Sequence, residues 1–154
     1  EAARALENGA GIDEAAEAAL KVRKTQLGMF VIRTLEFLRK GGRIGMVEGV
    51  VGSLLQIKPI IFVNDEGVYQ TLAKARGYKS AVDTMMQEAK RFFGDARIRL
   101  SIVNGQARED AAALLERVRK ELTVDDGAFI SQVSPVLAIH TGPGLLGIVA
   151  NRAD

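Results

Sequence analysis

Two short stretches of this chain carry side chains that could act on a small molecule. In the first, Arg43 follows Gly41-Gly42 and precedes Ile44-Gly45. Its guanidinium is a planar fork suited to a carboxylate or a phosphate, and Gly41, Gly42 and Gly45, lacking Cβ atoms, let a ligand or a second chain come close to the backbone. The plain alternative is a helix end followed by a solvated arginine. In the second stretch, His140 and Thr141 precede Gly142-Pro143-Gly144, and His140 is the chain's only histidine. It is either a hydrogen-bond donor or proton-handling group beside a ligand, or a buried histidine satisfied by a backbone carbonyl. One histidine and no cysteine leave no metal site of several histidines or thiolates within one chain. Nor does the sequence offer a nucleophile with an adjacent base, or a Walker-type glycine loop.

The elements that must position these residues follow from periodicity. Leu35, Phe37 and Leu38 form the apolar side of a short helix, Arg39 and Lys40 complement its negative end, and Gly41 is expected to take the left-handed conformation that stops it. Ahead of it, Glu1 to Asn8 reads as helical turns closed by Gly9-Ala10-Gly11. A second helix, capped by Asp13, runs to Lys24 with Ala16, Ala19, Leu20 and Val22 on one face, and Met29 to Ile32 reads as a strand. Met46 to Leu55 has an apolar stripe at helical spacing, with Gly45, Gly49 and Gly52 on its smaller side. Lys58–Val63 and Val68–Ala73 flank the turn Asn64-Asp65-Glu66-Gly67 as a hairpin. Tyr78 to Phe93 and Arg108 to Leu122 are amphipathic helices, the first with Ala81, Val82, Met85, Ala89, Phe92 and Phe93 inward. Ile98–Val103, ending at a turn Asn104-Gly105, and Phe129–Val133 are strands. Ser134 and Pro135 start a short helix through His140, and Gly142-Pro143-Gly144 turns into a closing strand, Leu145 to Ala150. Strands alternating with helices of this length predict an α/β fold, a mixed sheet flanked by helices.

Composition narrows the function classes. The 154 residues are 47% hydrophobic, enough for one packed domain. A formal charge of +2 with no basic tract, and an aromatic set of six Phe and two Tyr, give no nucleic-acid footprint despite a pI near 9.1. The charge is uneven, however. Lys21, Arg23, Lys24, Arg33, Arg39, Lys40 and Arg43 stand against Glu36 alone, which predicts a positive face near the glycine loop. No apolar run reaches the length of a membrane span, and the absence of cysteine fits a cytoplasmic protein. A chain that starts on Glu-Ala-Ala-Arg reads as a processed or truncated product.

Four motifs then carry a resemblance. Leu-Glu-Phe-Leu-Arg-Lys-Gly-Gly-Arg-Ile-Gly from Leu35 to Gly45, Gly-Ser-Leu-Leu-Gln-Ile-Lys-Pro-Ile from Gly52 to Ile60, Lys74-Ala75-Arg76-Gly77 and His140-Thr141-Gly142-Pro143-Gly144 resemble the DegV family, in that order and at similar spacing. The resemblance covers Thr25 to Val149. It implies a bacterial fatty-acid-binding protein that serves as the acyl-carrying subunit of a fatty acid kinase and is not itself an enzyme. Such proteins have two α/β lobes, the first holding the fatty acid carboxylate with Thr and Ser hydroxyls. On this reading residues 1–24 are linking helices from an absent first lobe, and residues 25–154 are the C-terminal lobe.

The resemblance further implies an acyl tail in an apolar slot with its head group toward Arg43 and His140. Gly41, Gly42, Gly45, Thr141, Gly142 and Gly144 are the supporting loops. No cofactor is expected beyond the bound long-chain fatty acid, and no metal in this chain, because ATP and metal would come from the kinase subunit. Arg43 would offset charge building between carboxylate and phosphoryl group, while His140 would fix the head group. A second reading is a small anion-handling enzyme using Arg43 and His140 on a phosphorylated or carboxylated metabolite. A third, a purely structural domain, leaves the glycine-flanked arginine without a role.

Overall fold

A computed structural model describes residues 1–44, 47 and 56–153. Six strands form one mixed sheet: β1 (Gln26–Val31), β2 (Ile57–Val63), β3 (Tyr69–Arg76), β4 (Ile98–Gly105), β5 (Phe129–Gln132) and β6 (Leu145–Arg152), in the order β3-β2-β1-β6-β4-β5. Every neighbouring pair is antiparallel except β4 and β5, which are parallel. A parallel pair needs a crossover, and α5 (Arg108–Glu121) supplies it. The last strand, expected over Leu145 to Ala150, forms and runs through the middle of the sheet, paired with β1 from Gln26↔Asn151 to Val31↔Leu146 and with β4 from Ile98↔Arg152 to Gly105↔Leu145.

Alternation along the central strands divides the interior in two. On one side Met29, Val31, Ile98, Ile102, Leu146 and Ile148 meet α4 (Tyr78–Phe93) and α5, whose Met85, Met86, Phe93, Leu114 and Val118 are buried. On the other, Ile32, Leu38, Val47, Ile61 and Leu145 form a smaller core, joined by Phe30, Leu35, Ile44, Tyr69, Val103 and Val133. That second core is covered by α3 (Glu36–Lys40) and bordered by α6 (Pro135–Thr141), which packs on α3. The remaining helices, α1 (Ala2–Glu7) and α2 (Ile12–Arg23), pack on one another, and Glu1 reaches the sheet through Arg99.

Several expectations need correction. The second helix starts at Ile12 with Gly11 as its cap, because the Glu14 carboxylate accepts the Gly11 N–H at 2.8 Å, so Asp13 lies inside the first turn. Ala15 is its buried residue, whereas Ala16, Ala19 and Leu20 face solvent, a one-position rotation of the expected face. β3 runs on through Lys74-Ala75-Arg76, past its expected end at Ala73, and Gly77 then caps the next helix. Asn104-Gly105 is no turn but the buried end of β4. There the Asn104 side chain donates to the Ser131 carbonyl of β5 at 3.0 Å and accepts from the Ala107 N–H, three residues on, at 3.2 Å, so it ties the strand end to its neighbour as well as to its own loop. Phe92 is 40% exposed, edge-on to Phe93, and Met86 takes the inward position. The expected helix Met46 to Leu55, with Gly45, Gly49 and Gly52, lies outside the described residues except for Val47, which is buried in the second core.

Candidate head-group site at the glycine loops

The helix α3 ends in two bonds that set the loop geometry. The Arg43 N–H donates to the Leu38 carbonyl at 3.0 Å and the Gly42 N–H to the Arg39 carbonyl at 3.1 Å, the paired pattern of a left-handed C-terminal cap. The left-handed residue is Gly42, at φ 64°, and not Gly41, whose φ is −82°. Gly41 needs to be glycine for another reason. A Cβ there would lie 2.2 Å from His140 Nδ1 and 3.0 Å from its Cε1. The two stretches that could do chemistry, about a hundred residues apart in sequence, are therefore packed face to face. Arg43 folds back on its own loop, with its guanidinium donating to the Gly41 carbonyl at 3.1 Å.

His140 occupies the last turn of α6, which begins at Ser134 and Pro135 as expected and ends at Gly142 with φ 71°. The Nδ1 atom of His140 is buried and makes no hydrogen bond, so a histidine satisfied by backbone at that atom is not what the structure contains. A buried polar atom left without a partner is costly, and functional sites are where such costs collect. Thr141 is fully used by the fold: it is buried, and its hydroxyl donates to the Leu137 carbonyl at 3.0 Å. Gly142 and Gly144 are glycines by both conformation and space. A Cβ on Gly142 would sit 2.3 Å from the Phe37 ring, and one on Gly144, at φ 85°, would sit 2.7 Å from the Arg33 side chain. Gly45, the remaining supporting glycine, lies outside the described residues.

Charge at this rim is positive on balance. Arg33, Arg39, Lys40 and Arg43 are exposed. Lys40 pairs with Glu36 at 2.6 Å, and that hydrogen bond holds the Glu36 carboxyl below its ordinary range. Arg33 pairs with Asp110 at 3.1 Å, Arg39 adds its charge to that of Lys40 on Glu36, and among the described residues Arg43 has no ion pair. An excess of cations over anions among the described rim residues favours an anion.

Sequence reasoning missed three contributors. Phe37 forms one wall of a cleft of about 550 Å³ beside α6, together with Gly105, Gln106, Val133, Ala138 and Pro143. Gln106 holds a left-handed φ of 56° there, which no composition signal announces. Thr71, cross-strand from Ile61 in the second core, has a buried hydroxyl with no hydrogen-bond partner. A lone threonine in a strand carries no sequence signal of that kind.

Among the described residues no group of three metal-ligating side chains comes together, and no helix is long and apolar enough to cross a membrane.

Comparison with known proteins agrees with the fold. A family model described as uncharacterised protein, DegV family, matches residues 1–153. A DegV domain-containing protein of Clostridium acetobutylicum is 35% identical over 149 residues, which is 97% of this chain and 53% of that protein. Among solved structures, a DegV family protein from Thermus thermophilus described for its fatty acid binding matches with a TM-score of 0.88 at 32% identity, over 98% of this chain and 54% of that one. A DegV lipid binding protein from Thermotoga maritima matches with a TM-score of 0.84 at 26% identity, over 99% and 53% of the two chains. The chain spans about half the length of the curated relatives it matches. With the family model spanning all but its final residue, the chain belongs to the DegV family.

Proposed function

We propose that this chain is the C-terminal lobe, residues 25–154 with linking helices in residues 1–24, of a fatty-acid-binding protein that presents its ligand to a partner kinase for phosphorylation to an acyl phosphate. The observation that carries this reading is the junction of Gly41, His140 and Arg43 at the rim of the second core. A head group placed there meets a guanidinium with no acidic partner among the described residues, and the face of the protein that holds an imidazole nitrogen without a hydrogen bond. The acyl tail lies along the apolar side of the sheet under α3, where each buried methylene contributes about 0.8 kcal/mol and few polar contacts are needed. The protein carries and orients, and the chemistry belongs to the kinase, which brings ATP and metal. Arg43 offsets charge as carboxylate and phosphoryl group approach, a contribution of electrostatic kind. The fatty acid and lipid binding of the Thermus and Thermotoga proteins support the ligand class, and the kinase partnership rests on the family resemblance.

The test is direct. Protein purified without added lipid is denatured, extracted and analysed by mass spectrometry, and the emptied protein is then titrated with a long-chain fatty acid and with the alcohol of equal length. Recovered fatty acids and a preference for the carboxylate support the reading. An emptied protein that ignores both ligands, in this chain and in a two-lobed form alike, would refute it.

A further inference from the structure

The two halves of the head-group site belong to different segments, one following β1 and the other preceding β6, and something must fix their spacing. One side-chain assembly touches both. The Arg33 guanidinium lies 4.2 Å from the centroid of the Tyr78 ring, and its stem covers the bare backbone of Gly144. The Tyr78 hydroxyl donates to the Gly144 carbonyl at 3.0 Å. Asp110, from the first turn of α5, holds the other side of the guanidinium at 3.1 Å, and Lys58 from β2 donates to the Arg33 carbonyl. Gly144 in turn donates its N–H to the Gly105 carbonyl at 2.6 Å. Arg33 sits three residues before α3, and Gly144 three residues after the end of α6.

We propose that Arg33 and Tyr78 are positioning residues that clasp the turn after His140 to the segment leading to Gly41 and Arg43, and so hold the head-group site in register; the proposal rests on reading those residues as that site. Surface ion pairs and cation–π contacts are individually weak. The force of this assembly lies in what it joins: side chains from α4 and α5, on the far side of the sheet, reach around to hold two loops on the ligand side. Glycine at position 144 is required both by its φ of 85° and by the arginine stem lying on it. Burial pushes the Tyr78 phenol up to about 12, Asp110 adds to that rise and Arg33 opposes it, so the hydroxyl remains a donor throughout the neutral range.

His140 is the only histidine, so its ring carbons give an isolated NMR reporter. Tyr78→Phe deletes the bond to Gly144 and keeps the ring beneath Arg33, while Arg33→Ala deletes the stack and the pair with Asp110. Lys90→Ala, which breaks the Lys90–Glu121 pair between the same two helices, is the control. In both clasp variants the His140 ring signals shift and the Gly144 amide exchanges about tenfold faster, the equivalent of one ordinary hydrogen bond lost locally. The control matches the parent in both readouts. Arg33→Lys, which keeps the charge without the planar stack, falls between parent and Arg33→Ala and decides the matter if Arg33→Ala does not fold. Parent-like His140 and Gly144 in the clasp variants overturn the proposal, and so do changes of equal size in Lys90→Ala. Adding a fatty acid to the parent tests the lipid reading separately: unmoved His140 signals would remove that reading and leave the clasp to be judged by its variants.

Discussion

The two sides of the sheet are built to different rules. On the side of α4 and α5 the core is large, aliphatic and continuous, with Met85, Met86, Ile98, Ile102 and Ile148 at essentially no exposure. Its helices are tied at the surface by ion pairs, Arg117 bridging Asp83 and Glu121 while Lys90 takes the other Glu121 oxygen. Those contacts raise the Arg117 guanidinium and hold the Glu121 carboxyl down, the signature of groups satisfied by each other. On the other side the core is small and ringed by glycines at which a Cβ would strike a neighbour: Gly41, Gly142, Gly144 and Gly147. Among the described residues the buried polar atoms without hydrogen bonds, Thr71 Oγ1, Arg99 Nε and His140 Nδ1, all belong to this side. Arg99 remains ion-paired with Glu1 and Asp125, which leaves Thr71 and His140 as the groups whose buried atoms have no partner on this face. The first side holds the fold, and the second carries the close glycine approaches on which the proposed site is built.

Substitutions that separate stability from site geometry sharpen the contrast. Phe93→Ala, deep in the first core, should cost about 3–5 kcal/mol through lost burial and the cavity left behind, while the His140 ring signals of the remaining folded protein stay parent-like. Denaturant unfolding and NMR on one sample check both halves, and a perturbed His140 would mean that the two sides are not independent. Gly142→Ala should cost about 1–3 kcal/mol, because the new methyl overpacks against Phe37 and the residue has a φ of 71°. Here the His140 signals should move as well. An unchanged histidine would show that Phe37 yields instead.

Most of the first side is legible in the sequence. The stripes of Tyr78–Phe93 and Arg108–Leu122 predict its helices, because an amphipathic pattern of 14 to 16 residues has few alternatives. The second side is legible only in its landmarks. Gly41-Gly42-Arg43 and His140-Thr141-Gly142 stand out, but their packing on one another depends on β6 lying at the centre of the sheet beside β1, a tertiary fact. The reason Gly41 is glycine is a histidine 99 positions later, and local rules assign the left-handed conformation to the wrong member of the pair. Asn104 and Gln106 fail for the same reason, since a buried strand end and a left-handed glutamine are set by their neighbours in space.

A third test concerns alkaline pH. Folding keeps Tyr78 protonated above its ordinary value of 10.0, up to about 12, so the unfolded chain loses that proton first. Its contribution to stability is full below pH 10 and fades as pH rises toward 12. Tyr78→Phe should flatten that part of the stability profile, and parallel profiles for variant and parent would contradict the burial described. At the small end, Lys90→Ala should change stability by about 0.2–1 kcal/mol, as exposed ion pairs do, and leave ligand binding untouched. A larger loss in either would give the surface pairs of the first side a weight not assigned to them above.

The central claim is that the Gly41–His140–Arg43 junction receives the carboxylate of a fatty acid. The most direct measurement follows the His140 ring signals while the protein is titrated with a long-chain fatty acid and, separately, with the fatty alcohol of equal length, in parent and in Arg43→Ala. The account predicts that the acid moves the ring signals in both proteins while the alcohol, filling the same apolar space, leaves them nearly still. It also predicts that Arg43→Ala binds the acid almost as well as the parent yet is phosphorylated at least about a hundredfold more slowly by the partner kinase, as loss of a transition-state charge contact requires. Identical responses of His140 to acid and alcohol would contradict the account and return the histidine to packing alone.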